Sequence, residues 1–144
     1  MDIDPKILAI ARRKLERAGV SAQLKQGSAT DPPFAAASFD RVLTTLMLHH
    51  LTTEQKREAL RAVRRILRPG GTLHIADFGR PHTPLMRVAG AAFGLFHGSG
   101  GTVDANLRGE LPAMIGEAGF TDVIREPPSM TPFGTVDFIR ATAP

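Results

Sequence analysis

The stretch from Phe39 to Phe78, FDRVLTTLMLHHLTTEQKREALRAVRRILRPGGTLHIADF, decides the fold of this chain. Its apolar runs predict a strand over Phe39–Thr45 and a second, buried strand over Thr72–Phe78. Between them, apolar residues recur at helical spacing after Thr52, which forms a capping-box pattern with Gln55 three residues later. Strand, helix and strand in this order predict parallel pairing and an α/β fold, in which helices pack on a sheet.

The residues before this stretch predict a helix and a short strand. Asp4 suits an N-cap and Pro5 a first helical position, so we expect a helix over Pro5–Ala18 that Gly19 ends. A weak strand pattern follows over Ser21–Gln26.

The residues after it predict a different arrangement. Pro69-Gly70-Gly71 indicates a turn before the second strand, and GELPAMIGEAGF (109–120) a helix that ends at Gly119. Residues 121–128 and 134–143 read as two strands whose short link requires antiparallel pairing. An apolar helix is predicted over Leu85–Phe96, and a glycine loop over Gly98–Gly101.

Composition excludes several classes of function. The 144 residues fit one domain, and the absence of cysteine excludes disulfides, thiolate metal sites and cysteine nucleophiles. No apolar run reaches about 18 residues and no secretory leader is visible, so we expect no membrane span and a cytoplasmic chain. The net charge of +4 is concentrated on two predicted helices, where solvated faces explain it. Without Trp, Tyr or a known module, we expect no nucleic-acid partner.

Four stretches together resemble the class I S-adenosylmethionine-dependent methyltransferase family, and within it the branch that includes the ubiquinone/menaquinone C-methyltransferases. They are DIDPKILAIAR (2–12), FAAASFDRVLTTLMLHHL (34–51), ALRAVRRILRPGGTLHIADF (59–78) and LPAMIGEAGF (111–120). The resemblance implies a Rossmann-like three-layer sandwich with strand order 3-2-1-4-5-7-6 and an antiparallel last strand. It also implies S-adenosylmethionine as cofactor and a small molecule as methyl acceptor.

The resemblance also implies a set of cofactor-binding residues. Asp2 matches the acid that binds the ribose hydroxyls, and Ile3 is expected beside the adenine. GSATDPPF (27–34) matches the adenine loop, where Ser28 replaces the family acid and Ala29 offers its backbone N–H. Thr45 ends its strand where the family often has a polar contact to the cofactor. The alternatives are a frayed terminal residue at Asp2, an ordinary loop at 27–34, and a strand-end threonine with a local hydrogen bond at Thr45.

One family feature has no match in this chain. The glycine-rich loop after the first strand belongs before Asp2, and Gly98–Gly101 lies too late in the sequence to replace it. We therefore expect residues 1–144 to be a single partial domain that lacks the first strand, its helix and most of the second strand. Such a sheet has an unpaired strand edge open to self-association or a partner chain, and its cofactor affinity is expected to be reduced.

Catalytic residues are not singled out by the sequence. His49, His50, Asp77 and His82 lie at or beyond the carboxyl ends of predicted strands, so each is a candidate base. The adjacent histidines also suggest a metal, but neighbouring side chains should point apart and no third ligand has metal spacing, so no metal site is predicted. An apolar helix within a substrate-cover insertion at 82–105 would favour an apolar acceptor, and a core-packing helix is the alternative.

These observations lead to one leading function and two alternatives. The leading prediction is S-adenosylmethionine-dependent methyl transfer to a small, apolar molecule, with little activity of the isolated chain. The first alternative is a non-catalytic or partner-dependent module that pairs through the open sheet edge. The second is a Rossmann-type dehydrogenase, which the PGG turn, the AGF helix end and the final strand pair disfavour.

Overall fold

The structure is a computed structural model that describes residues 1–81, 102–132 and 134–144. The predicted helix Leu85–Phe96, the loop Gly98–Gly101, His82 and most of the predicted cover at 82–105 lie outside the described residues. The elements are α1 (Pro5–Arg17), β1 (Phe39–Thr45), a 3-10 turn (Leu48–His50), α2 (Thr53–Ile66), β2 (Leu67–Phe78), α3 (Asp104–Leu107), α4 (Leu111–Glu117), β3 (Thr121–Thr131) and β4 (Gly134–Thr142). No helix in this described part is long and apolar enough to span a membrane.

The described strands form one sheet in the order β1-β2-β4-β3. β1 and β2 pair in parallel, with Val42 opposite Leu73 and Thr45 opposite Ala76. β4 lies antiparallel to both β2 and β3. The structure therefore confirms the predicted parallel pairing of the two strands that α2 connects. It also confirms the predicted antiparallel pair at the C-terminus. The order is the one that the resemblance implies for the last four strands of the family sheet.

The predicted helix ends are confirmed by their caps. The Asp4 side chain accepts from the Lys6 N–H, and Gly19 has a φ of +64° just after the end of α1. Thr52 and Gln55 exchange both capping-box hydrogen bonds at the start of α2, at 3.0 and 3.3 Å.

The second strand begins earlier than predicted. β2 follows α2 directly at Leu67, so Pro69-Gly70-Gly71 lies within the bounds of β2. The predicted break is present there as an irregularity, because the pairing with β1 shifts register between Phe39–Leu67 and Arg41–Thr72 and Gly70 has a φ of +76°. The Gly70 N–H donates to the Ala143 carbonyl at 2.7 Å, and the Ala143 N–H donates to the Gly71 carbonyl at 2.8 Å. These bonds with the end of the chain extend the sheet ladder over residues that alone would form a turn.

The predicted strand over Ser21–Gln26 is wrong. The segment forms only a single parallel bridge, between Gln26 and Asp2. The Asp2 N–H donates to the Lys25 carbonyl and the Gly27 N–H to the Asp2 carbonyl. A strand needs a neighbouring ladder to satisfy its backbone groups, and among the described residues only this short stretch near Asp2 offers one.

The hydrophobic core lies on one face of the sheet. α2 and α4 cover this face, where the buried side chains include Leu60, Leu73, Ile75, Met114, Ile115 and Ile139. Side chains alternate between the two faces along each strand. Those on the other face, among them Leu43 and Phe138, are exposed. The helices α2 and α4 therefore form one helical layer on this sheet.

Close packing at the end of β2 generates a prediction about stability. A Cβ at Gly79 would lie 2.0 Å from the Asp137 Cγ. Asp137 cannot easily move, because it is buried and both its oxygens accept from Arg125 Nη2 at 2.8 Å. We expect Gly79→Ala to lower the free energy of unfolding by about 2 kcal/mol or more, measured by urea denaturation.

Gly116→Ala is the matched control. A Cβ at Gly116, in α4, meets no atom within 4 Å. Alanine is favoured over glycine in a helix by roughly 0.5–1 kcal/mol, so this variant should be as stable as the natural chain or more stable. Equal effects of the two substitutions would contradict the described packing of Gly79 against Asp137.

Candidate functional site

Polar side chains converge where the parallel strands β1 and β2 end. Ligands of open α/β sheets bind outside the carboxyl ends of the strands. After Thr45 the chain turns at Leu46, which has a φ of +48° and donates its N–H to the Ala76 carbonyl at 2.8 Å. This turn leads into the 3-10 turn at Leu48–His50, and brings His49 beside Asp77 near the end of β2.

The carboxylate of Asp77 is the centre of this site. Its side chain is only 1% exposed. Oδ2 accepts the backbone N–H groups of Met47 at 3.0 Å and Leu48 at 2.7 Å, and Oδ1 accepts the N–H of Phe78 at 2.8 Å. The carboxylate thus fixes the turn after β1 against the end of β2.

His49 makes the remaining contact to this carboxylate. Its Nδ1 lies 2.7 Å from Asp77 Oδ1, and its side chain is 14% exposed. Because the carboxylate is the acceptor, the hydrogen bond assigns the proton to Nδ1 and leaves a lone pair on Nε2. Nε2 has no hydrogen-bond partner among the described residues. It is also not fully buried, so a ligand or solvent can reach it. The pair therefore presents a free basic nitrogen.

The two neighbouring histidines differ in their surroundings. The prediction that their side chains point apart is wrong, because the 3-10 turn brings the His49 and His50 ring centroids to 3.9 Å. His49 also contacts the ring of Phe78 edge-on at 4.8 Å. His50 is exposed and has no hydrogen-bonded side-chain partner in the described ranges. Nowhere in those ranges do three metal-binding side chains cluster.

Lys56 is a buried charged residue that sequence reasoning missed. It is fully buried, and its Nζ donates to the Leu51 carbonyl at 2.7 Å and to the Thr102 carbonyl. Burial lowers the pKa of Lys56, and the negative charge of Asp77 opposes this shift. The ammonium thus joins the chain after the 3-10 turn to the beginning of the described range 102–132. Helical spacing is the signal that could have found it, because Lys56 lies three and four residues before the buried Ala59 and Leu60 and therefore on the same face of α2.

The predicted ribose-binding residue retains a free oxygen. Asp2 Oδ1 accepts the Asp4 N–H at 2.9 Å. Its other oxygen, Oδ2, makes no hydrogen bond within the described residues. The adjacent Ile3 is 68% exposed, so a carboxylate oxygen and an apolar side chain are both available to a ligand here.

The other predicted binding residues have different environments. The Ser28 hydroxyl is engaged locally with the Thr30 hydroxyl at 2.8 Å and the Thr30 N–H at 3.2 Å. Thr45 is exposed and shares the open sheet face with its partner Ala76. The neighbouring Thr44 points to the helix-covered face, and its Oγ1 is buried without a hydrogen-bond partner.

A cavity of about 370 Å³ lies between the segment 23–34 and β1, with α2 as its floor. This volume falls in the range of about 300–1,000 Å³ that is typical of ligand pockets. The wall is mostly apolar and includes Met1, Ala29, Phe34, Val42, Thr44 and Leu60. The structure thus brings Ala29 and the neighbour of Asp2 to one cavity beside β1. Ser28 and Thr45 do not line it.

Comparison with known proteins identifies relatives of this chain. The model of a protein family described as a methyltransferase domain matches residues 1–71. An uncharacterized methyltransferase of Synechocystis sp. is 33% identical over 144 residues, which cover 99% of this chain and 64% of that protein. The ubiquinone/menaquinone biosynthesis C-methyltransferase UbiE of Pseudomonas fluorescens is 35% identical over 94 residues, covering 64% of this chain and 36% of that protein. The chain thus spans less than two thirds of the length of these relatives.

Solved structures share the fold. The S-adenosylmethionine-dependent methyltransferase SibL aligns over 100% of this chain and 42% of its own, with 23% identity and a TM-score of 0.74. A methyltransferase from Methanosarcina mazei aligns over 98% of this chain and 79% of its own, with 17% identity and a TM-score of 0.71. The matched domain and the sequence relatives, together with the strand order, show that the chain belongs to the class I S-adenosylmethionine-dependent methyltransferases.

Proposed function

We propose that this chain acts in S-adenosylmethionine-dependent methyl transfer to a small, apolar acceptor. The observation that carries the proposal is the cavity where Met1, Ala29 and Thr44 meet beside β1. It runs along β1 and reaches Met47 and Leu48, in the turn after the carboxyl end of this strand, which is where open α/β sheets bind ligands. The similarity to UbiE, a C-methyltransferase of quinone biosynthesis by its name, supports an apolar acceptor.

The residues present fit part of the cofactor. S-adenosylmethionine supplies, when bound, a methyl group already activated by the positive sulfur. Asp2 Oδ2 is free to accept from two ribose hydroxyls, and exposed Ile3 offers an apolar surface to the adenine. The Ala29 N–H makes no backbone hydrogen bond within the described residues and is available to an adenine nitrogen. The hydroxyls of Ser28 and Thr45 are weaker candidates, because Ser28 is engaged with Thr30 and Thr45 lies off the cavity.

The apolar residues that line the cavity would bind and orient the acceptor. Alignment of acceptor and methyl group, with exclusion of water, is the main task of the protein in such a transfer. The apolar walls at Phe34, Val42 and Leu60 suit an apolar ring or chain more than a charged molecule. The substrate cover at 82–105 and a cytoplasmic location stay predictions of the sequence.

Cofactor binding by Asp2 can be tested by titration calorimetry with S-adenosylmethionine. Asp2→Asn keeps an amide oxygen for the Asp4 N–H but removes the free carboxylate oxygen. A hydrogen bond to a charged group contributes about 1.5–3 kcal/mol, so we expect the affinity to fall roughly 10-fold or more. Asp122→Ala, on the exposed part of β3, should leave the affinity unchanged. If the natural chain and the Asp2→Asn variant bind equally well, Asp2 does not hold the ribose.

A second candidate function is pairing with another chain through the edge of β1 that no other described strand covers. β1 is the first strand in the sheet order and pairs with β2 on one side. Leu43, in its centre, is 73% exposed. Long exposed strand edges with apolar side chains invite pairing with other strands, whereas lysine on such an edge blocks it.

Self-association through this edge makes a distinct prediction. We expect the natural chain to associate as its concentration rises, and Leu43→Lys to abolish the association, as measured by sedimentation velocity. Ile124→Lys is the matched control, because Ile124 is an exposed apolar residue on β3 at the opposite edge of the sheet. A natural chain that stays monomeric throughout, or an Ile124→Lys effect as large as that of Leu43→Lys, would argue against the β1 edge.

A further inference from the structure

We propose that Thr44 determines which acceptor the cavity beside β1 takes, because its hydroxyl gives a hydrogen-bonding point to an otherwise apolar inner wall. The proposal rests on the methyl-transfer function above and narrows its substrate class. The acceptor would be a mainly apolar ring or chain that carries a hydroxyl or carbonyl oxygen where it meets Thr44. A hydrocarbon of the same shape would lack this contact.

The hydroxyl of Thr44 has an unusual environment. Its Oγ1 is buried and has no hydrogen-bond partner among the described residues. The other buried side-chain atom of this kind in the described ranges is Asn106 Oδ1, but Asn106 also donates from Nδ2 to the Phe78 carbonyl at 3.1 Å. Most buried polar atoms in proteins are hydrogen-bonded, since leaving one without a partner is unfavourable. An unused hydroxyl in a cavity wall therefore indicates a place where a ligand supplies the partner.

The register of β1 turns the Thr44 side chain toward the cavity. Thr44 lies opposite Ile75, whose side chain is buried on the helix-covered face of the sheet. Side chains alternate along a strand, so Val42 and Thr44 share this face, and both line the cavity. Threonine is branched at Cβ and has few χ1 rotamers, so its side chain loses little freedom when the hydroxyl meets a ligand oxygen.

The side chains around this hydroxyl are apolar. Leu48, Leu60 and Leu73 line the cavity with Thr44, and each of these leucines is at most 2% exposed. The other cavity-lining side chains with nitrogen or oxygen atoms are exposed, and they are Gln23, Lys25 and Arg41. Water can solvate those exposed groups, whereas the buried hydroxyl depends on a bound molecule. A ligand oxygen at Thr44 thus gains a hydrogen bond without displacing a protein partner.

Binding of two matched probes to Thr44→Val tests the proposal. The probes are 2-naphthol and naphthalene, which differ by one hydroxyl, and the valine keeps the shape of threonine but replaces its hydroxyl with a methyl group. We expect the affinity for 2-naphthol to fall about 3-fold to 10-fold, the value of one ordinary hydrogen bond. The affinity for naphthalene should stay the same or rise. Both affinities are measured by ¹H–¹⁵N NMR titration. Equal changes for the two probes, or no binding of 2-naphthol to the natural chain, would overturn the proposal.

Two further variants control for folding and shape. Thr44→Ser keeps the hydroxyl and should retain the natural response to 2-naphthol. Thr121→Val makes the same replacement on β3, at an exposed position outside the cavity wall, and should change neither affinity. Thr44→Val should unfold at the same urea concentration as the natural chain or a higher one, because it removes a buried hydroxyl without a partner. A Thr121→Val effect as large as that of Thr44→Val would contradict the assignment.

A turnover assay separates this proposal from the methyl-transfer function. The natural chain is incubated with S-adenosylmethionine and 2-naphthol, and the methylated product is measured. If no product forms but Thr44→Val weakens the binding of 2-naphthol alone, the proposed transfer fails and the role of Thr44 in ligand selection stands. If product forms and Thr44→Val leaves the preference between the probes unchanged, the transfer stands and the role of Thr44 is overturned.

Discussion

The contacts of the buried Asp77 carboxylate are the constraint on which the rest of the site depends. Four N–H groups converge on its two oxygens, three from the backbone and one from His49. A buried carboxylate without these partners would cost several kcal/mol, so the turn after β1 must adopt the conformation that supplies them. That conformation requires the parallel register of β1 and β2, in which Thr45 lies opposite Ala76. Fold and candidate chemistry are thus joined at one residue.

Local patterns in the sequence predicted most of the elements. The bounds of β1, the capping box at Thr52 and the glycine after α1 follow from interactions between near neighbours in the chain. The strand over Ser21–Gln26 failed because a strand depends on its neighbours in the sheet, which a local pattern does not contain. The early start of β2 has the same cause, since Gly70 and Gly71 join the ladder only through Ala143.

The site was predicted less completely than the fold. Asp77 and His49 are both candidates because they lie at or beyond strand ends, but only the tertiary structure joins them across 28 positions of sequence. The family resemblance points to Thr45 at the end of β1, whereas the register turns its neighbour Thr44 toward the cavity. Helical spacing places Lys56 on the buried face of α2, but its partner, the Thr102 carbonyl, lies far away in the chain and could not be predicted. Long-range pairing decides each of these features.

The central claim is that the carboxyl end of β1, the segment at Asp2 and the loop at Ala29 form one methyl-transfer site. The most direct measurement is a backbone ¹H–¹⁵N NMR titration of the chain with S-adenosylmethionine. We expect the amide signals of Asp2, Ile3 and Ala29 to shift together with those of Met47, Leu48 and His49, along a single binding curve. Shifts confined to β3 and β4, or no shifts at saturating cofactor, would contradict the claim.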